Sequence, residues 1–159
     1  MLNIKDADVP LEKIVGLAEA FRKSRILFMI TFTEGGEEHQ RAMTNFNENP
    51  YEVMWFPTAT QTRKVNDIKR NEKVLLLFPA AEEDMYYELE GAGYLSDKEE
   101  VTEKWVWWWL YWHPHQAERY WESHVGEHPE RTIIKVRPVS ARLLRGSSAE
   151  DLKKSMPKY

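Results

Sequence analysis

Between residues 26 and 144 the chain lays down six stretches of strand length, rich in apolar and β-branched residues, and helical patterns interrupt them only irregularly. That spacing restricts the fold more than any other feature. A doubly wound parallel sheet needs strand and helix to alternate regularly, and where they do not, an α+β, barrel-like domain is favoured. The stretches are residues 26–33, 39–46, 51–56, 73–78, 86–95 and 132–144. Gly35-Gly36 supplies a turn that makes a hairpin of the first two, and Asn47-Glu48-Asn49-Pro50 marks the next turn. Gly91 and Gly93 read as a bulge or a close approach of another backbone, and Pro138 implies an edge, a bulge or a break in the last strand.

Three helical patterns accompany the strands. After Pro10, residues Leu11, Ile14, Val15, Ala18 and Phe21 fall at helical spacing. Over residues 60–71, Val65 and Ile68 lie three apart among polar residues, which suits a short helix covering one end of a sheet. Residues 99–112 place Val101, Trp105, Trp108, Trp109 and Trp112 on one face, with Trp107 and Tyr111 elsewhere. A stripe so spaced belongs to a core or a dimer interface rather than to a cofactor stack.

The junction between the third strand and the second helix carries the chemistry. In Phe56-Pro57-Thr58-Ala59-Thr60-Gln61-Thr62-Arg63-Lys64-Val65 an apolar strand ends in hydroxyls and two adjacent fixed cations, just where a helix begins. Helix-start N–H groups, a threonine hydroxyl and an Arg-Lys pair together suit a phosphoryl group. The further cations Lys69, Arg70 and Lys73 read as an ordinary solvated face.

Composition narrows the function classes. With 159 residues the chain suits one domain, 1–159, with a polar tail from about residue 146, and no repeat or linker divides it. A net charge of −4 argues against a broad nucleic-acid surface while leaving room for a local anion site. Cysteine is absent, which excludes disulfides and thiolate chemistry and fits a cytoplasmic protein. The start MLNIKDADVPLEKIVGL has acidic residues where a secretory signal needs a basic start and an apolar run. The longest apolar run, residues 105–112, is far shorter than the roughly 20 residues of a spanning helix, so no membrane partner is expected.

Two histidine patterns point weakly to metal. His124-Val125-Gly126-Glu127-His128 matches the spacing of inverted zinc peptidases, but Gly126 and Pro129 are poor company for the helix that spacing requires. His113-Pro114-His115 lacks a third ligand. No metal is expected.

An ordered set of short pieces resembles the pyridoxamine 5′-phosphate oxidase-like flavin-binding split β-barrels, most of all their general-stress-protein branch. The pieces are Arg41-Ala42-Met43-Thr44, Trp55 with Thr58 and Thr62-Arg63-Lys64-Val65, Asn71-Glu72-Lys73-Val74 before Leu75-Leu76-Leu77-Phe78, Glu90-Gly91-Ala92-Gly93 before Asp97, and Ile133-Ile134-Lys135-Val136-Arg137-Pro138. The resemblance implies a six-stranded antiparallel split β-barrel with flanking helices, a homodimer, and FMN held between the subunits. By the same resemblance Arg63 and Lys64 meet the flavin phosphate with Thr58 and Thr62 beside them. Arg41 then reaches ribityl or phosphate oxygens, and the backbone of Met43 and Thr44 faces the ring. Pro57 stands where the oxidase has an aromatic residue and Leu144 where it tends to have Trp, so oxidation of a B6 vitamer is not expected.

Three functional readings follow from the resemblance. The first is an FMN-dependent oxidoreductase acting on a small molecule or electron carrier. The second is a flavin-binding module connected with stress and without turnover, and the third is a deazaflavin-dependent reductase. No residue nominates itself as general acid or base, so no catalytic residue is assigned.

Overall fold

The structure, a computed structural model, describes residues 14–97, 99–101, 103 and 131–146. In chain order it contains α1 (Leu17–Lys23), β1 (Ile26–Phe32), β2 (Glu38–Thr44), β3 (Met54–Ala59), α2 (Arg63–Arg70), β4 (Lys73–Pro79), β5 (Met85–Leu95) and β6 (Arg131–Arg145). All six strands join one sheet in the order β2-β1-β4-β5-β6-β3, and each neighbouring pair is antiparallel. The sheet curls into an α+β split barrel, with β2 and β3 as its two ends.

Side chains alternate across each strand, so one face collects the core. Leu27, Met29, Met54, Phe56, Leu76, Phe78, Leu89, Ile134 and Val136 meet there, all fully buried. α1 closes this core with Leu17 and Phe21, whose ring meets Phe78 edge-on at 5.5 Å. α2 adds Val65 and Ile68, the two apolar positions that its spacing in the sequence singles out.

Of the expected first helix, Leu11 lies outside the described residues, and Ile14 and Phe21 are buried as expected. The helix starts only at Leu17 and buries Leu17, Ala20 and Phe21, while Val15 is 91% exposed. Gly16 is the cause, for its φ of +84° is left-handed and cannot belong to a right-handed helix, so the helical phase is reset after it. The Tyr87 hydroxyl then donates to the Val15 carbonyl at 2.8 Å and fixes the entry.

The glycines of β5 serve close approach, as their spacing implies. The β5–β6 ladder slips between Glu90 and Gly91, where Gly91 pairs with Pro138 and Glu90 with Ser140, so the proline falls at a bulge. A Cβ on Gly91 would collide with Val136 Cγ1 and lie 2.8 Å from the Arg137 carbonyl oxygen. Gly91→Ala is therefore expected to destabilise by about 1–3 kcal/mol, read as a lower denaturation midpoint with an unchanged slope.

Residues 104–130 and 147–159 lie outside the described residues. With them go most of the expected tryptophan-rich helix, both histidine patterns and the polar tail. Its start is described: Asp97 Oδ1 accepts from the Glu100 amide at 2.8 Å, an N-terminal cap, and residues 99–101 are helical. No helix among the described residues is long and apolar enough to cross a membrane.

Candidate functional site

The sheet's end strand β3 passes directly into α2 through a tight turn. Thr62 holds extended backbone at φ −132°, ψ 157° and its hydroxyl donates to the Ala59 carbonyl at 3.1 Å, which closes the turn instead of capping the helix. Its own carbonyl accepts from the Asn66 amide at 3.1 Å and begins the helical ladder. The first-turn amides of an α-helix have no acceptor within the helix, and this first turn holds Arg63 and Lys64 and no acid. The local chemistry thus favours an anion.

β2 brings a third cation to the same place. Arg41 lies opposite Met29 in the β1–β2 ladder, and its Nη1 donates to Thr31 Oγ1 at 2.8 Å and, more weakly, to the Met29 carbonyl at 3.4 Å. Burial lowers the Arg41 guanidinium from the usual arginine range, Asp67 opposes that, and the charge of Arg63 adds to it. Lys64 is held below the ordinary lysine range by burial first and by Arg41 second. Arg41 and Lys64 are therefore partly desolvated beside each other, the exposed Arg63 adds its charge to Arg41, and a bound anion would relieve this repulsion.

One buried carboxylate sits beneath them. Asp67, on the second turn of α2, is 6% exposed and accepts from the Thr31 hydroxyl at 2.7 Å, while His39 Nδ1 lies 2.8 Å from the same Oδ2. Burial pushes its carboxyl up, but the hydrogen bonds from His39 and Thr31, with the charges of His39 and Arg41, outweigh this and hold it below the usual aspartate range. Asp67, Thr31 and Arg41 thus form a chain that fixes the guanidinium.

The structure gathers Arg41, Arg63 and Lys64, with Thr62 at the helix start. Thr58 lies four residues upstream on β3, opposite Thr132. Met43 is in the core, Thr44 is half-buried at the end of β2, and β2 bonds to β1 on one side only, as an end strand. Among the described residues, no hydrogen bond joins Thr58, Met43 or Thr44 to the three cations. Sequence reasoning missed Asp67, His39 and Thr31. The helical pattern offered little signal, because Asp67 comes two after Val65 and one before Ile68 and so falls off their stripe, and its burial is set by Thr31 and His39 across from it. A separate open pocket beside Arg70, Glu72 and Tyr94 at the other end of α2 includes none of the seven expected site residues.

A family model described as pyridoxamine 5′-phosphate oxidase like matches residues 12–153. The chain belongs to the pyridoxamine 5′-phosphate oxidase-like family. No curated protein sequence matches it. Similar solved structures include a protein related to general stress protein 26, of the pyridoxinephosphate oxidase family, from Clostridium acetobutylicum, at 21% identity and TM-score 0.59, covering 80% of this chain and 84% of that one. A pyridoxamine 5′-phosphate oxidase-related, FMN-binding protein from Nostoc punctiforme is similar at 13% identity and TM-score 0.59, covering 86% and 85%. An F420 reductase is similar at 19% identity and TM-score 0.55, covering 84% and 98%. At such identities the likeness speaks for the shared fold of this oxidase-like family.

Proposed function

We propose that the chain binds FMN through its phosphate at the start of α2 and acts as a flavin-dependent oxidoreductase on a small molecule or electron carrier. The observation that carries this reading is that Arg63 and Lys64 at the start of α2 act on Arg41, whose guanidinium Thr31 and the buried, ionised Asp67 hold in place. Three cations and one carboxylate leave a formal charge of +2, which matches a phosphate monoester dianion. Arg63, Lys64, the first-turn amides of α2 and Thr62 would hold the phosphate, with Thr58 beside them. Arg41 would meet phosphate or ribityl oxygens, and Met43 and Thr44 of the end strand would offer backbone to the ring. FMN, when bound, supplies the hydride or electron chemistry, and the protein supplies position and charge.

Family kinship supports a homodimer with the cofactor between subunits, and the lack of cysteine supports a cytoplasmic location. Purified protein should be yellow and release FMN. Stripped of flavin, it should gain about 2.7 kcal/mol of stability from FMN at a hundred times its Kd, a rise in Tm of roughly 5 to 10 °C. Protein that neither carries nor binds FMN would sink the reading. Binding a deazaflavin in its place would identify the cofactor as that one, and stoichiometric FMN without turnover of any donor would identify a binding module.

A further inference from the structure

His39 stands two residues before Arg41 on β2, so both side chains leave the same face of the strand, with Cα atoms roughly 7 Å apart. It lies opposite Thr31 in the ladder, and its side chain is 17% exposed. An ionised carboxylate can only accept hydrogen bonds, so the 2.8 Å contact with Asp67 requires the proton to be on Nδ1. That leaves Nε2 as the ring nitrogen not engaged by Asp67, and among the described residues no hydrogen bond is made to it. The charged group in contact with this ring is Asp67 from α2, Arg41 shares its face of β2, β1 offers the neutral Thr31, and Arg63 and Lys64 of α2 act on Arg41.

The formal charge of the site is +2 with His39 neutral and +3 with His39 protonated. A dianion arriving at Arg41 favours the second state, and by linkage the second state favours the dianion. We infer that His39 is a further binding residue of the anion site, which takes a proton from solvent onto Nε2 when a phosphate monoester binds, and that Asp67 is its positioning residue. This rests on the FMN-phosphate reading. The preference for FMN over riboflavin then grows as the pH falls through the histidine range.

The test uses the full chain, stripped of flavin, and compares it with His39→Asn, whose amide nitrogen can donate to Asp67 as Nδ1 does but does not titrate. Affinities for FMN and riboflavin are measured from pH 5.5 to 8.5, and proton uptake is measured by calorimetry in buffers of different ionisation enthalpy. The unmodified protein should show an FMN-to-riboflavin ratio severalfold greater at pH 6 than at pH 8, the part of one pKa unit of coupling that falls in that window once the phosphate's own protonation near pH 6 is allowed for. It should also take up a fraction of a proton per FMN at pH 7.5. His39→Asn should lose the uptake and keep only the slope due to the phosphate's own second ionisation near pH 6. A variant that keeps the same slope and uptake overturns the role of His39 and leaves the FMN reading standing. Equal affinity of the unmodified protein for FMN and riboflavin at every pH sinks that reading, and this inference with it. Should the variant fail to fold, the His39 ring is titrated by NMR in the unmodified protein. Its midpoint must rise when FMN is bound, and an unchanged midpoint refutes the inference.

Discussion

Replacing Arg63 and Lys64 together by alanine is expected to weaken FMN binding by at least about a hundredfold while changing riboflavin binding only a few-fold. A charge-assisted hydrogen bond contributes on the order of 1.5 to 3 kcal/mol, and each 1.4 kcal/mol is a factor of ten in Kd. Two such bonds lost give the hundredfold. Riboflavin has the same ring and ribityl chain without the phosphate, so the ratio of the two affinities isolates the phosphate contact from general damage. Arg63 is exposed and Lys64 half-buried, so truncating them opens no cavity in the core. Lys64 already has its charge disfavoured by burial and by Arg41, and a phosphate partner offsets both, so Lys64→Ala alone should cost tenfold or more. Equal losses for FMN and riboflavin would contradict the assignment of the phosphate to this turn.

Much of this fold is legible in the chain because its strands are short, apolar and separated by turn residues. The hairpin at Gly35-Gly36 forms as expected, with Gly36 at φ +88°, and β4, β5 and β6 lie within a residue of their expected bounds. The third strand starts three residues late, at Met54 rather than Tyr51, since Asn49 Oδ1 accepts from the Tyr51 amide and prolongs the preceding turn. The first helix is out of phase because one left-handed glycine resets it, and a hydrophobic pattern contains no record of φ. Strand order is a different matter. Nothing local says that β3 skips its neighbours in sequence and pairs with β6, for that depends on closing the curled sheet around α1 and α2.

The site divides in the same way. Arg63 and Lys64 are adjacent in sequence and announce themselves where a strand ends and a helix starts. Arg41 is more than twenty residues away, and its place beside them follows from the resemblance and from the ladder that sets it opposite Met29. Thr31 and His39 become partners only once the register is known, because the same hairpin pairs them directly and α2 then lowers Asp67 between them. The proposed phosphate turn at Arg63 and Lys64 is therefore written locally, whereas Arg41 and the carboxylate that fixes it are written in tertiary structure.

That carboxylate should also govern much of the domain's stability, and Asp67→Ala is expected to cost about 3 to 5 kcal/mol at neutral pH. The substitution leaves the Thr31 hydroxyl and His39 Nδ1 without their acceptor and leaves the partly buried Arg41 uncompensated, which is the costly way to break a buried pair. For a chain of this length, Tm should fall by roughly 10 °C. The pH dependence identifies the cause. The Asp67 carboxyl is held below its unfolded value of about 3.9, so its contribution is fully present above that pH and is lost as pH falls through the lower folded value. Stability of the unmodified protein should therefore decline below about pH 4 with a component that Asp67→Ala lacks. The two stability curves should converge in acid and diverge toward neutrality. Parallel curves across that range would mean that the alanine acts by loss of packing alone and that the charge of Asp67 carries none of the effect.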